Sequence, residues 1–131
     1  MSNLLAGTQK NEIINNQFML DAKLQLKSGQ TVALVNNSFD LDIKAAQTDI
    51  KSADVIIVFV ISKVELAKHK SILLAAAKRG AVPWVAYPKA KQLGTDLNRD
   101  IVHKLTGSMG LKTIRQIAIN ETWSALRLKL F

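Results

Sequence analysis

The clearest feature of the chain is an unbroken apolar run over residues 55–61, in which β-branched side chains dominate. A run without polar alternation is typical of a strand that is covered on both faces, as in a parallel sheet. Shorter apolar runs lie at Thr31–Val35 and over 82–87. The pattern therefore predicts three strands, and it predicts that the strand over 55–61 is fully buried.

Helical signals fall between and after these strands. An S-x-x-E capping box that begins at Ser62 satisfies backbone N–H groups at a helix start, and it predicts a helix over 63–79. A second apolar stripe at helical spacing predicts a helix over 97–108. Thr95 or Asp96 is the expected N-cap of this second helix, because both residue types favour that position.

The end of the chain changes from helical to strand periodicity. Residues 113–119 and 123–130 alternate apolar and polar positions, which indicates two antiparallel strands that each bury one face. Strands that alternate with helices predict a mostly parallel sheet. The expected fold is a single Rossmann-like three-layer α/β domain over 24–131, ending in an antiparallel strand pair. Residues 1–23 are an N-terminal extension, and the pattern over 40–53 leaves strand and helix open.

Composition supports one globular domain and excludes some chemistry. The chain has 131 residues, of which 48% are hydrophobic and 21% are charged. It contains no cysteine, so disulfides and thiolate chemistry are excluded. No apolar run approaches the roughly 20 residues that a membrane span needs. These observations predict a soluble cytoplasmic protein.

The net charge of +8 is unevenly distributed. Residues 1–60 carry a balance of −1, whereas residues 61–131 carry +9. Such an asymmetry is typical of a surface that meets nucleic acid or another polyanion. The densest basic region runs over 63–91, and its first part, over 63–79, contains no aromatic residue for base stacking. Nucleic-acid binding therefore stays open as an alternative.

Several enzyme motifs are absent from the sequence. There is no Walker loop, and the two histidines, His69 and His103, lie on different predicted helices, so no metal site is expected. Ser124 does not lie in a G-x-S-x-G turn, and no histidine partner can be assigned to it. The sequence thus predicts no catalytic residues and no cofactor by motif.

One group of residues does predict a ligand site. Lys89 follows the strand over 82–87, and Thr95 and Asp96 precede the next helix. Ligands of open α/β sheets bind beyond the carboxyl ends of the strands, and a lysine beside a helix N-terminus can hold an anion. Trp123 and Arg127 of the last strand face the same end in this prediction. Each of the five residues also has an ordinary alternative as a solvated, capping, core or ion-paired side chain.

Distinctive segments of the chain resemble one protein family. They read, in order, GQTV at 29–32, WVAYPK at 84–89, TDL at 95–97, GL at 110–111 and ETWSALR at 121–127. Over about residues 24–130 the chain resembles the small bacterial proteins of domain-of-unknown-function family 3052. The resemblance implies a reduced version of the class I S-adenosylmethionine methyltransferase fold, and it implies no activity. Members often have Asp where this chain has Asn120.

Three functions follow as hypotheses. The preferred one is a binding module for a small anionic ligand or a partner protein, built on the loop over 89–96. The second is a residual S-adenosylmethionine-dependent methyltransferase, which would need a glycine-rich turn after its first strand. Here that turn, over 35–40, reads VNNSFD and has no glycine. The third is polyanion binding through the basic half. The oligomeric state stays open.

Overall fold

The computed structural model describes residues 20–131, so nearly all of the predicted extension 1–23 lies outside the described residues. Six strands occur in the described part: β1 (Thr31–Val35), β2 (Ala46–Gln47), β3 (Val55–Phe59), β4 (Val82–Pro88), β5 (Leu111–Ala118) and β6 (Trp123–Leu130). Three α-helices lie after β3, namely α1 (Lys63–Lys68), α2 (Lys70–Lys78) and α3 (Arg99–Ser108), and residues 20–23 are helical as well. A short 3-10 turn, Gln92–Gly94, lies between β4 and α3.

The six strands form one sheet in the order β2-β1-β3-β4-β6-β5. Strands β2, β1, β3 and β4 pair in parallel, whereas β6 runs antiparallel to both of its neighbours, β4 and β5. The chain thus has the predicted Rossmann-like α/β domain, with a mostly parallel sheet that ends in an antiparallel pair.

Each face of the sheet carries its own hydrophobic cluster, because alternate residues of a strand point to opposite faces. One cluster packs the sheet against the three helices and includes Val85, Leu126 and Leu73 of α2. We call this side the helix face. The other cluster packs Trp84 and Trp123 beneath the N-terminal residues Leu20, Leu24 and Leu26 and the connection after β1. Every residue of β3 is buried, as its continuous apolar run predicts.

The structure departs from the predicted helices at two places. The helix predicted over 63–79 is interrupted at His69, whose ring Nδ1 lies 2.8 Å from the carbonyl oxygen of Glu65 and competes for a helical acceptor. Asn98, and neither Thr95 nor Asp96, is the N-cap of α3: its Oδ1 accepts from the N–H of Ile101 at 2.9 Å. The predicted start of this helix was therefore wrong by two residues.

The segment that the sequence left open contains little regular structure. Within 40–53 the only strand is the two-residue β2 at the sheet edge. Asp21 fixes the approach to it, since its carboxylate accepts from the backbone N–H groups of Lys44 and Ala45, each at 2.9 Å. Between residues 20 and 131, no helix is long and apolar enough to cross a membrane.

Candidate functional site

A crevice lies between the carboxyl ends of β1 and β3. At this point the strand order reverses, and open α/β sheets bind ligands at such a switch point. Asn36 follows β1 with a left-handed φ of +61°. Its Nδ2 donates to the carbonyl oxygen of Phe59 at 2.8 Å and to Glu65 Oε2 at 3.1 Å. A side chain therefore bridges the two strand ends where a ligand would have to approach.

The carboxylate of Glu65 completes this closure. Its second oxygen, Oε1, accepts from the N–H of Ile61 at 2.7 Å, while Ser62 Oγ accepts from the N–H of Glu65 at 3.1 Å. The predicted capping box is thus present, with Glu65 reaching the residue before the N-cap. Glu65 is thus hydrogen-bonded both to Asn36, after β1, and to the backbone directly before α1. These hydrogen bonds close the crevice between the two strand ends.

Aromatic packing fills the space next to the crevice. The ring of Phe39 lies 5.4 Å from that of Phe59 and 5.2 Å from that of Trp123, measured between centroids. In a class I methyltransferase, S-adenosylmethionine must approach the backbone of this turn closely, and glycine makes that approach possible. Here the turn supplies an asparagine amide and a phenylalanine ring instead. The residues at this crevice do not fit S-adenosylmethionine in the arrangement seen in the structure.

A second cleft lies at the same carboxyl edge of the parallel strands, beyond β4 and on the helix face. It has a volume of about 830 Å³ and opens between the end of β4, the N-terminus of α3 and the strand pair β5–β6. Its size is that of a small-molecule site. The lining residues are Tyr87, Lys89, Ala90, Asn98, Arg99, Asp100, Gln116, Ile117, Ala118 and Ser124.

The floor of the cleft is a row of residues across three strands. Tyr87 of β4 pairs with Ser124 of β6, and Ser124 pairs in turn with Ala118 of β5. The small side chains of Ser124 and Ala118 leave room above the floor. Asn120 sets the turn before this row, since its Oδ1 accepts from the N–H groups of Thr122 and Trp123, both at 2.8 Å. An aspartate carboxylate could accept the same two bonds.

One polar group of the floor is buried without a partner. Tyr87 is only 2% exposed, and its hydroxyl has no hydrogen-bond partner among the described residues. A buried hydroxyl without a partner costs about 1–3 kcal/mol, so native structures seldom keep one. Since Tyr87 lines the cleft, this hydroxyl is placed to donate to a molecule bound there.

The N-terminus of α3 forms one wall of the cleft. The first turn of a helix leaves N–H groups without intrahelical partners, and they attract anions. The side chain of Asn98 takes the N–H of Ile101, and its carbonyl takes that of Val102 at 3.0 Å. The N–H groups of Arg99 and Asp100 have no acceptor among the described residues. Lys89 lies across from them and is held by a bond from its N–H to the carbonyl of Thr122 at 2.7 Å.

The five residues that the sequence placed together are separated in the structure. Thr95 Oγ1 donates to the carbonyl of Ile61 and accepts from the N–H of Leu97 at 3.0 Å. Asp96 Oδ1 accepts from the N–H of Lys63 at 2.9 Å. Both residues therefore hold the segment before α3 against the connection between β3 and α1, and neither lines the cleft.

Trp123 and Arg127 lie on the far side of the sheet. Trp123 is 5% exposed within the aromatic cluster, and Arg127 donates to Gln25 Oε1 from a position opposite Trp84 in the sheet. Of the five predicted residues, the structure brings only Lys89 into the cleft. Between residues 20 and 131 there is also no group of three or more side chains suited to hold a metal ion.

Tyr87, Ser124, Asn98 and Arg99 are lining residues that sequence reasoning missed. The sequence carried a signal for all four. Side chains alternate between the two faces along each strand. Tyr87 therefore lies on the face opposite to Trp84, and Ser124 lies on the face opposite to Trp123. An asparagine followed by Arg-Asp is also a standard helix start.

The protonation of Tyr87 can be measured directly. Burial raises the pKa of Tyr87 to about 12, partly offset by the positive charge of Arg99, while Asp100 raises it further. Because the folded pKa is above the ordinary value near 10, the folded state favours the neutral phenol. The stabilisation is therefore complete below pH 10 and is lost as the pH rises towards 12.

We expect the phenolate absorbance of the folded protein to appear with a midpoint near pH 12. Tyr87 is the only tyrosine of the chain, so the titration reports this group alone. The denatured protein should titrate near 10, and Tyr87→Phe should abolish the signal. A folded-state midpoint near 10 would show that water reaches the hydroxyl freely.

Comparisons with known proteins bear on the fold. No protein-family model matches the chain, and no curated protein matches it in sequence. Among solved structures, the chain is similar to a SAM-dependent methyltransferase from Aquifex aeolicus, at 10% identity and a TM-score of 0.54, over 88% of this chain and 89% of that one. It is also similar to the ribosomal protein L11 methylase from Lactobacillus delbrueckii subsp. bulgaricus, at 9% identity and a TM-score of 0.51, over 87% of this chain and 76% of that one.

A third similar structure is that of LepI in complex with SAM, at 10% identity and a TM-score of 0.50. The match covers 88% of this chain but only 40% of the LepI chain, so this chain spans well under two thirds of that protein. At such identities the matches establish architecture and not activity. The chain has the Rossmann-like fold of S-adenosylmethionine-dependent methyltransferases.

Proposed function

We propose that the protein is a binding module for a small anionic ligand, and that the cleft between β4, α3 and the β5–β6 pair is its site. The observation that carries this proposal is the convergence of Lys89, the N-terminus of α3 and the unpartnered Tyr87 hydroxyl on one cleft. Lys89 and the helix N-terminus favour an acceptor that carries negative charge, and the Tyr87 hydroxyl can donate to a further acceptor on the same ligand.

The charges around the cleft agree with an anion. Lys89 is partly buried at its rim, and Arg99 extends from the first turn of α3. Asp100 also lines the cleft, but its side chain is 93% exposed and lies 3.9 Å from the Arg99 guanidinium. Its carboxylate is therefore well solvated and screened. The side chains of Lys89 and Arg99 give the cleft a net positive charge beside the helix N-terminus. An anion bound there would contact positively charged side chains and backbone N–H groups together.

A calorimetric titration with inorganic phosphate tests the proposal. We expect Lys89→Ala to weaken phosphate binding by about tenfold to a hundredfold, because a hydrogen bond to a charged group contributes about 1.5–3 kcal/mol. The matched control is Lys104→Ala, which removes the same charge from an exposed position on α3 outside the cleft. Equal weakening by both variants, or no phosphate binding at all, would contradict the proposal.

The second candidate is a methyltransferase that uses S-adenosylmethionine. It is favoured by the likeness in fold to the methyltransferase from Aquifex aeolicus. It is opposed by the contacts that close the switch-point crevice, where Asn36 bridges Phe59 and Glu65. This function would require those hydrogen bonds to open. The resemblance to domain-of-unknown-function family 3052 does not decide between the two, because it implies the fold only.

A further inference from the structure

The body of the ligand, as distinct from its anionic group, would rest on the floor of the cleft. Two hydroxyl-bearing residues lie next to each other in that floor, because Tyr87 and Ser124 are direct partners on adjacent strands. Neighbouring strands are roughly 4.8 Å apart, so one small molecule bound over the floor spans both residues. The side-chain amide of Gln116 lines the same cleft from β5.

These groups offer both hydrogen-bond directions. The Tyr87 hydroxyl is neutral, and with no partner of its own it is available as a donor. Ser124 and Gln116 can each donate and accept. A ligand body that satisfies such a surface must itself carry donors and acceptors. A hydrocarbon body would leave the buried Tyr87 hydroxyl unpaired, and this costs binding energy.

Among residues 20–131, the lining of the cleft offers no flat surface for a base. Within that range Tyr87 is the only aromatic lining residue, and its ring is 2% exposed, so it cannot act as a stacking platform. Binding of nucleobases usually depends on such stacking. The chemistry of the lining therefore favours hydroxyl groups over an aromatic ring.

We infer that the ligand is a polyhydroxylated organic phosphate, of the size and chemistry of a sugar phosphate. The phosphate would lie between Lys89 and the N-terminus of α3, and the hydroxyls would lie on Tyr87, Ser124 and Gln116. This inference rests on the proposed function, since it assigns the body of the same anion.

The test compares two probes of equal charge, glucose 6-phosphate and hexyl phosphate, with inorganic phosphate as reference. We expect glucose 6-phosphate to bind at least tenfold more tightly than hexyl phosphate. Tyr87→Phe should lower the affinity for glucose 6-phosphate several-fold more than that for hexyl phosphate. Ser108→Ala, which removes an exposed hydroxyl outside the cleft, should change neither.

The possible failures are distinct. If neither inorganic phosphate nor hexyl phosphate binds, the proposed function fails and this inference with it. If both bind but glucose 6-phosphate is no tighter than hexyl phosphate, only the inference is overturned. Tighter binding of adenosine monophosphate than of glucose 6-phosphate would also overturn it, because that order requires a site for the base.

Discussion

Truncation of Trp123 to alanine is expected to lower the free energy of unfolding by about 3–5 kcal/mol, the usual cost of deleting a buried tryptophan. The indole is 5% exposed, and it packs against Phe39 at 5.2 Å and Phe59 at 5.6 Å between ring centroids. Aromatic pairs at such distances add about 0.5–1.5 kcal/mol beyond burial. Denaturant unfolding measures this loss.

Two controls make the result specific. Trp123→Phe should lose less, because it keeps part of the aromatic contact. Ile114→Ala removes an exposed side chain from the edge strand β5 and should change stability by no more than about 0.5 kcal/mol. A loss below 1 kcal/mol for Trp123→Ala, together with lost phosphate binding, would make Trp123 a ligand residue and not a core residue.

Asn36→Ala is expected to lower the free energy of unfolding by about 3–4 kcal/mol. The change removes the hydrogen bonds from Nδ2 to Phe59 and Glu65, each contributing about 1 kcal/mol. It also puts alanine, which has no polar side-chain group, in a left-handed backbone conformation with a φ of +61°. Left-handed backbone costs most L-residues about 1–2 kcal/mol, whereas asparagine and glycine tolerate it.

Asn36→Gly is the matched variant, because it loses the same two hydrogen bonds but accepts the left-handed backbone. We expect it to be more stable than Asn36→Ala by about 1 kcal/mol. Equal stability of the two variants would show that the backbone conformation after β1 differs from the one described. Chemical denaturation of both variants in parallel provides the comparison.

Binding of S-adenosylhomocysteine to the wild-type protein tests whether the crevice is closed. The wild-type protein should show no thermal stabilisation, because Asn36 and Phe39 occupy the approach to the switch point. A ligand at a hundred times its dissociation constant would stabilise the fold by about 2.7 kcal/mol, a shift of several degrees. Such a shift in the wild-type protein would contradict closure and favour the methyltransferase candidate.

The strands followed closely from the sequence because their signals are local. The β-branched run around Ile57 identifies a strand and its full burial without knowledge of its neighbours. The alternation around Leu126 identifies a strand, but the burial of one face that it predicts is wrong, because residues 123–126 of β6 are buried on both faces. The break at His69 was not predictable in this way. It depends on a ring nitrogen that competes for the Glu65 carbonyl, whereas the periodicity continues through it.

The site was harder to predict because it depends on faces and register. Alternation shows that Trp123 and Ser124 point in opposite directions, but not which of them points to the helix face. That is decided by the pairing of Ser124 with Tyr87, and of Arg127 with Trp84, across the β4–β6 ladder. Lys89 was accessible to sequence reasoning because it directly follows a strand end, and strand ends are where ligands bind in this fold class.

The most direct test of the anion site is an amide NMR titration of the wild-type protein with inorganic phosphate. We expect the largest shifts on the N–H groups of Arg99 and Asp100, at the N-terminus of α3, and on that of Lys89. Shifts centred on Asn36 and Ser62, or spread evenly over the exposed lysines of α1 and α2, would contradict it.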